Sequence, residues 1–368
     1  MRILVAGDFA PYRRIEEMIE SEDYSFFDEV KEITDNMDYS IVNLEVPIVN
    51  GTAEPIVKTG PNLKCHPNTI DAIKYAGFNC ATLANNHFYD YGEKGVLDTI
   101  NAFKHNGIDH IGGGSNINEA EMILYKKYDT QTLAIINFCE NEWSIATEKS
   151  GGSAPLNIVH NTRNIQEAKK NADFVLVIVH GGTEGYQLPT PRMKETYRFF
   201  IEQGADVVIN HHQHCYSGYE EYQGKMIFYG LGNFCFDTNS KDDLWNKGYA
   251  VEIEFNKTGN TYKLLPYIQC AEKPTISFIK DSHDVYKHID KLNTIINDDK
   301  ILYEHFLDMA KNKMFLQFFE PYNNKYLKFL KAKGLVPSFL NRYKKNLILN
   351  LFRCEAHRDV MFELLKKN

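Results

Sequence analysis

The sequence predicts an α/β fold with a helical appendix at its C-terminal end. Two observations carry this. Over residues 1–275, short apolar runs alternate with stretches of helical period, the pattern of strands feeding crossover helices onto a central sheet. After about residue 275 the β-signals fade and helical periodicity with many Lys and aromatic residues takes over. The expected organisation is a domain over 1–275 and a basic α-helical region over 276–368.

Strands are expected at 2–6, 39–44, 78–83, 107–112, 132–138, 173–179, 206–210 and 226–230, each an apolar run bounded by turn residues. Helices fall between them at 24–37, 67–76, 93–106, 162–171 and 191–203, with Gly77, Gly107 and Gly204 as end signals. Segments 216–222, 225–229, 248–255 and 260–269 alternate without intervening helices and read as antiparallel strands added at the end of the domain. Helical periodicity in the appendix covers 284–296, 299–318, 323–333 and 337–366, with Phe306, Met309, Phe315, Phe318, Leu327 and Phe329 on apolar stripes.

With 43% hydrophobic and 24% charged residues, the chain has the composition of a globular protein and not of a disordered one. No apolar run reaches the ~18 residues of a membrane span. The apolar start, Ile3 to Ala6, is too short for a signal-peptide core and reads as a first strand. Seven scattered cysteines with no CxxC pair argue against a disulfide framework or a structural zinc site, and point to a reduced, cytoplasmic chain. The net charge of −8 hides an asymmetry: residues 1–275 carry 24 Lys and Arg against 38 Asp and Glu, whereas 311–368 carry 13 against 4. Nothing in this pattern calls for nucleic acid as a partner.

Six segments place a metal-capable residue just past an apolar strand, where open α/β sheets put their ligands. They are Gly7-Asp8, Asn43-Leu44-Glu45, Asn85-Asn86-His87, His180-Gly181-Gly182, Asn210-His211-His212-Gln213-His214 and Gly230-Leu231-Gly232-Asn233-Phe234. Carboxylates, an amide oxygen and imidazoles without thiolate suit Mn, Fe or Zn, as one or two divalent ions. Each residue alone has a bland reading: Asp8 as a cap, Asn86 as a turn residue, His180 as a satisfied buried histidine. Three imidazoles within four residues after a buried strand are harder to explain that way, because charging them together is costly and a metal removes that cost.

These motifs, taken in order with Asp90-Tyr91-Gly92 and Gly112-Gly113-Gly114, resemble those of the CapA family of capsule and poly-γ-glutamate synthesis proteins, itself similar to the calcineurin-like metallophosphoesterases. The resemblance covers roughly residues 1–270. It implies a four-layer α/β/β/α sandwich with a two-metal site above the sheets. By motif, Asp8 resembles the aspartate opening the first metal site and Glu45 stands in the bridging position. Asn86, His180 and His212 resemble second-site ligands, and His214 the last ligand of the first site. His87 resembles the histidine that contacts phosphate or protonates a leaving group. Two departures stand out. Ala10 occupies the position where the phosphoesterases carry a first-site histidine, and Glu45 is one methylene longer than their bridging Asp.

Glu184, in His180-x-Gly182-x-Glu184, reads as a catalytic base, an orienting group or a substrate contact. Arg13, Arg14 and Lys58 are candidates to hold an anionic substrate, the alternative being solvated surface charges. His211 and Asn233, within the last two motifs, are placed with the substrate contacts. The function expected is a metal-dependent hydrolase of a phosphoester, phosphodiester or capsule polymer. The alternative is a polymer-binding assembly protein that kept the metal scaffold. The basic stretch Asn341-Arg342-Tyr343-Lys344-Lys345, followed by Leu347-Ile348-Leu349, adds an expected contact with an anionic membrane surface or polymer.

Overall fold

The computed structural model describes residues 1–58, 60–312 and 325–336. Sixteen strands lie within them. The first sheet has a parallel half, β1 (Arg2–Phe9), β2 (Tyr39–Leu44), β3 (Cys80–Thr82) and β4 (Asp109–Ile111), and an antiparallel half, β14 (Lys247–Glu254), β15 (Thr261–Gln269) and β16 (Ile276–Phe278). Its order is β16-β15-β14-β1-β2-β3-β4, and β13 (Asn233–Cys235) pairs with the end of β1. The second sheet, in the order β11-β12-β10-β9-β7-β6, consists of β6 (Leu124–Tyr128), β7 (Gln131–Cys139), β9 (Phe174–His180), β10 (Val207–His211), β11 (Tyr219–Tyr222) and β12 (Lys225–Phe228). The short β5 (Gly113–Gly114) and β8 (Gly152–Ser153) pair separately.

Side-chain alternation stacks the layers. Ile3 and Val5 of β1 and Ile41 of β2 point into a core shared with Ile135, Leu176 and Val208 of the second sheet. Leu4, Ala6 and Val42, one residue out of phase, pack with the helices on the opposite face. Those helices are α1 (Arg14–Glu20), α2 (Asp28–Thr34), α3 (Thr69–Tyr75) and α4 (Gly92–Asn106). On the outer side of the second sheet lie α6 (Ile158–Asn171) and α7 (Pro191–Gln203), which bury Ile165, Ala168, Tyr197 and Phe200. The central strand β9 is buried along its whole length, which is why Phe174-Val175-Leu176-Val177-Ile178-Val179 shows no alternation. The result is the expected α/β/β/α sandwich. Short helices α5 (Ile117–Ala120) and α8 (Asp243–Asn246) complete the connections.

Local chemistry accounts for the helix ends. Thr190 caps α7 by accepting from the Met193 amide, Pro191 fills its first turn and Gly204 follows its end. Gly107 closes α4 at φ 64°, a left-handed conformation that favours glycine.

The structure corrects one topological expectation. The four late strands do not form one antiparallel addition. β11 and β12 extend the second sheet, with β12 parallel to β10, while β14 and β15 join the first sheet.

The first compact unit runs Met1–Tyr303, past the compositional shift near 275. It includes α9 (His283–Ile296), whose Val285, Ile289, Leu292 and Ile296 are buried in the inter-sheet core, each contributing about 1.5–3 kcal/mol relative to exposure. Asn293 on α9 accepts from the Tyr219 amide at 2.7 Å, fixing the helix against β11. α10 (Asp299–Asn312) follows, and the second unit begins at Glu304. Its described part includes α11 (Lys325–Ala332). Residues 337–368, on which the expected membrane-surface or polymer contact rests, lie outside the described residues. No helix among the described residues is long and apolar enough to cross a membrane.

Candidate metal centre

The C-terminal ends of strands from both sheets converge. Asp8 lies near the end of β1, in register with Asn43 of β2 and Asn233 of β13. Gly7 makes that arrangement possible: a Cβ there would fall 2.1 Å from the Gly232 carbonyl oxygen, so no other residue lets the two backbones approach so closely. His180 ends β9 and His211 ends β10, paired in register. His212 and His214 follow with φ of 93° and 56°, left-handed conformations that cost of order 1–3 kcal/mol each for a non-glycine residue. The turn aims both rings back over the strand ends.

Two candidate ligand triads result, Glu45 with His180 and His212, and Asp8 with Glu45 and His214; within each, one atom per residue lies within 4.8 Å of the others. Around His180 Nε2, His212 Nδ1 and Asn86 Oδ1 stand at 3.0 Å and Glu45 Oε1 at 3.5 Å. His214 Nε2 is 3.6 Å from the same Glu45 oxygen. Glu45 is therefore common to both groups, and Asn86 completes one of them.

The donor set fits divalent metal. Glu45 is wholly buried, and neither carboxylate oxygen has a hydrogen-bond partner. Burial and the neighbouring Asp8 charge push its carboxyl well above the usual range. His180 is driven well below the ordinary histidine value, and His212 to about 3, by burial first and then by the surrounding imidazoles. Neutral imidazoles and an orphaned carboxylate converging on one point form a site that a cation satisfies and a proton satisfies poorly.

Neighbouring groups hold these ligands. Asn43 Nδ2 donates to Asp8 Oδ1 at 2.6 Å, and the His212 amide donates to Asp8 Oδ2 at 3.1 Å. His214 Nδ1 lies 2.9 Å from Asn233 Oδ1, leaving Nε2 turned toward Glu45. The Trp245 ring lies 5.1 Å from that of His214. His211 is buried with both ring nitrogens unpartnered, its Nδ1 3.5 Å from Asp8 Oδ1.

His87 stands beside the triads, close enough for its charge to depress His180 and His212. Its Nδ1 lies 2.6 Å from Asp90 Oδ2. Lys58, with only 3% of its side chain exposed, forms an ion pair with Asp90 Oδ1, and its Nζ is 3.2 Å from the same imidazole nitrogen.

The strand-end residues Asp8, Glu45, Asn86, His180, His212 and His214 come together, with His87 and Lys58 alongside. Others are placed differently. Arg14 forks onto Asp237 at 2.7 and 3.1 Å and donates to the Cys270 carbonyl, so its charge is engaged within the fold. Asn233 is wholly buried; its amide nitrogen donates to the carbonyls of His214 and Trp245 while its oxygen faces His214. That leaves it a ligand-orienting role and no free polar atom for substrate. His211 is 2% exposed, as buried as His180. Arg13 is exposed, its guanidinium 5.7 Å from the centre of the Tyr12 ring. Glu184 is exposed, and its charge helps raise Glu45 and Glu142. Asp90 and Asn43 received no role from the sequence. The three-residue spacing from His87 was the available signal for Asp90, and adjacency to Glu45 that for Asn43.

The layered fold and the paired candidate triads define an α/β/β/α protein with a candidate two-metal centre. More particularly, the chain belongs to the family described as bacterial capsule synthesis protein PGA_cap, whose model matches residues 2–238. It is 31% identical over 309 residues to capsule biosynthesis protein CapA of Bacillus anthracis, covering 79% of this chain and 73% of that one. It is 32% identical over 260 residues to PGA biosynthesis protein CapA of Bacillus subtilis strain 168, covering 69% and 67%. Among solved structures, a phosphatase from Mycoplasma pneumoniae aligns with a TM-score of 0.48 at 13% identity, over 73% of this chain and 93% of that chain.

Proposed function

We propose that this protein is a metal-dependent hydrolase acting on a capsule polymer or a phosphoester precursor of one. The observation that carries the reading is Glu45, buried, unpaired and shared by two ligand triads. Asp8, Glu45 and His214 would hold one divalent ion, and Glu45, Asn86, His180 and His212 a second. Mn, Fe and Zn all suit the donor set. Such ions supply Lewis-acid polarisation and a nucleophile available at neutral pH.

The chain's own residues supply the rest. In this reading His87 Nδ1–H hydrogen-bonds to Asp90, which fixes the ring, and His87 carrying protons on both nitrogens would deliver the Nε2 proton to the leaving oxygen or nitrogen and return to the neutral imidazole. Lys58 offsets the Asp90 charge. Asn43 and the His212 amide hold both oxygens of Asp8, and Asn233 holds His214. Glu184 and Arg13, both exposed, are assigned to substrate contact.

The alternative, a polymer-binding assembly protein, has one observation in its favour: Ala10 supplies no ligand to the first site. Against it stands the His87–Asp90–Lys58 group, which a binding scaffold does not need. Assay of metal-loaded protein with a generic phosphodiester and with capsule polymer decides between the two. Turnover that is lost in His87→Ala supports the hydrolase, and polymer binding without turnover supports the scaffold.

A further inference from the structure

The segment that leaves β7, Glu140 to Ser144, belongs to none of the strand-end motifs, yet it reaches His180, Asn86 and His212 in turn. At its start the Glu140 amide donates to the His180 carbonyl at 3.0 Å. At its end the Ser144 hydroxyl donates to the Asn86 carbonyl at 2.7 Å and accepts from the Tyr89 amide at 3.1 Å. Between them, Glu142 Oε1 lies 3.8 Å from Nε2 of His212. The segment is itself fixed. The Glu140 carboxylate accepts from the Gly182 amide at 3.3 Å and pairs with Arg192 of α7. Asn141 Nδ2 donates to the Leu156 carbonyl at 3.2 Å, and Ser144 is wholly buried.

The two nitrogens of His212 have different tasks. Nδ1 stands 3.0 Å from His180 Nε2, close enough for both to reach one ion at the ~2.0–2.1 Å of a metal–imidazole bond. Nδ1 must then offer a lone pair, so the proton of the neutral ring sits on Nε2. His214 shows the reverse arrangement: its Nδ1 lies 2.9 Å from Asn233 Oδ1, and its Nε2 faces Glu45. For His212 the nitrogen turned away from the ion faces Glu142. The Glu142 side chain is 40% exposed, with room to close the last ~1 Å to a charge-assisted hydrogen bond. A cation on Nδ1 draws charge from the ring and makes Nε2–H a stronger donor, so the bond shortens as the ion binds.

Resting on the metal-dependent reading of the centre, we propose that Glu142 is a positioning residue for the second ion. Its carboxylate accepts the Nε2 proton of His212 and fixes the tautomer that leaves Nδ1 for the metal, while Glu140 and Ser144 hold the backbones of His180 and Asn86. Glu142 also acts on Glu45 through its charge, as Glu184 does more strongly. The two effects separate by substitution: glutamine keeps an acceptor without the charge, and leucine keeps neither.

The test is equilibrium dialysis of the full-length protein against graded free Mn²⁺, for the wild type, Glu142→Gln, Glu142→Leu and His212→Ala. The wild type should show two binding steps, and the step missing from His212→Ala identifies the second ion. Glu142→Leu should weaken that step about 10–100-fold, the usual effect of removing the partner of a metal-bound histidine, and leave the other step unchanged. Glu142→Gln should recover most of the loss. Wild-type affinity in Glu142→Leu, or an equal loss from both steps, overturns the proposal. Equal losses in the Gln and Leu variants overturn it too, because charge and not the hydrogen bond would then be the active feature. In chelator, Glu142→Leu should melt within about 2 °C of the wild type; a larger fall makes the effect structural and overturns the positioning role. Metal uptake is read without substrate, so the two readings fail separately. Two Mn²⁺ steps without turnover of any ester or polymer remove the hydrolase and leave the Glu142 assignment standing, whereas a wild type that binds no Mn²⁺ overturns both.

Discussion

Replacing Asp90 with Asn isolates the group that orients His87. The substitution preserves shape and removes one charge. Asp90 is wholly buried, and the Lys58 side chain it neutralises is 3% exposed, so the variant leaves an ammonium buried without a counter-charge. Breaking a buried pair from one side costs about 3–5 kcal/mol. For a compact unit of the size of Met1–Tyr303, at about 2 °C per kcal/mol, Tm should fall by about 6–10 °C. The diagnostic arm is the double variant Asp90→Asn with Lys58→Met, in which no buried charge remains. Its loss should fall short of the sum of the single losses by more than about 1 kcal/mol, because the two side chains touch. Calorimetry or denaturant unfolding of the four proteins closes the cycle. An unchanged Tm in Asp90→Asn, or strict additivity in the double variant, would refute the buried pair and with it the proposed anchoring of His87.

Other outcomes follow from the same geometry. His87→Ala should keep its metal and lose activity by about 10²–10⁴-fold, the range for general acid catalysis; loss of metal together with activity would assign His87 to the ligands instead. Gly7→Ala should destabilise the fold by at least about 2 kcal/mol, since its Cβ meets the Gly232 carbonyl oxygen at 2.1 Å, and wild-type denaturant stability would contradict that contact. Asn233→Leu should leave the Glu45–His180–His212 triad loaded and weaken the Asp8–Glu45–His214 triad, because His214 loses the partner that sets its ring. Metal titration of that variant checks the assignment.

Buried parallel strands were legible in the sequence because their β-branched runs have no other plausible home. The helix α7 was legible from its helical period over 191–203 and from Gly204 at its end. Weaker elements were not. β6 reads Leu124-Tyr125-Lys126-Lys127-Tyr128 and is partly exposed, so it carries little apolar pattern. α1 has seven residues and no side-chain cap. Sheet membership escaped as well: β12 and β14 look alike locally, and only three-dimensional pairing assigns them to different sheets. The candidate ligands were legible because each lies at or just past a strand end. Their supports were less so. Nothing in the spacing of Lys58 and Asp90 announces an ion pair across 32 positions, and Arg14 looked like a surface charge until Asp237 was brought to it. Asn233 was read as a substrate contact because its motif lies in the site, whereas its hydrogen bonds turn it toward His214.

The central claim is that one carboxylate serves two metal positions. Glu45 is the residue the two triads share, so the most direct measurement is the bound-metal stoichiometry of Glu45→Ala, purified and equilibrated with Mn²⁺ beside the wild type, His212→Ala and His214→Ala. The account predicts that each histidine variant loses the ion of its own triad and that Glu45→Ala loses metal from both. Wild-type stoichiometry in Glu45→Ala would contradict it.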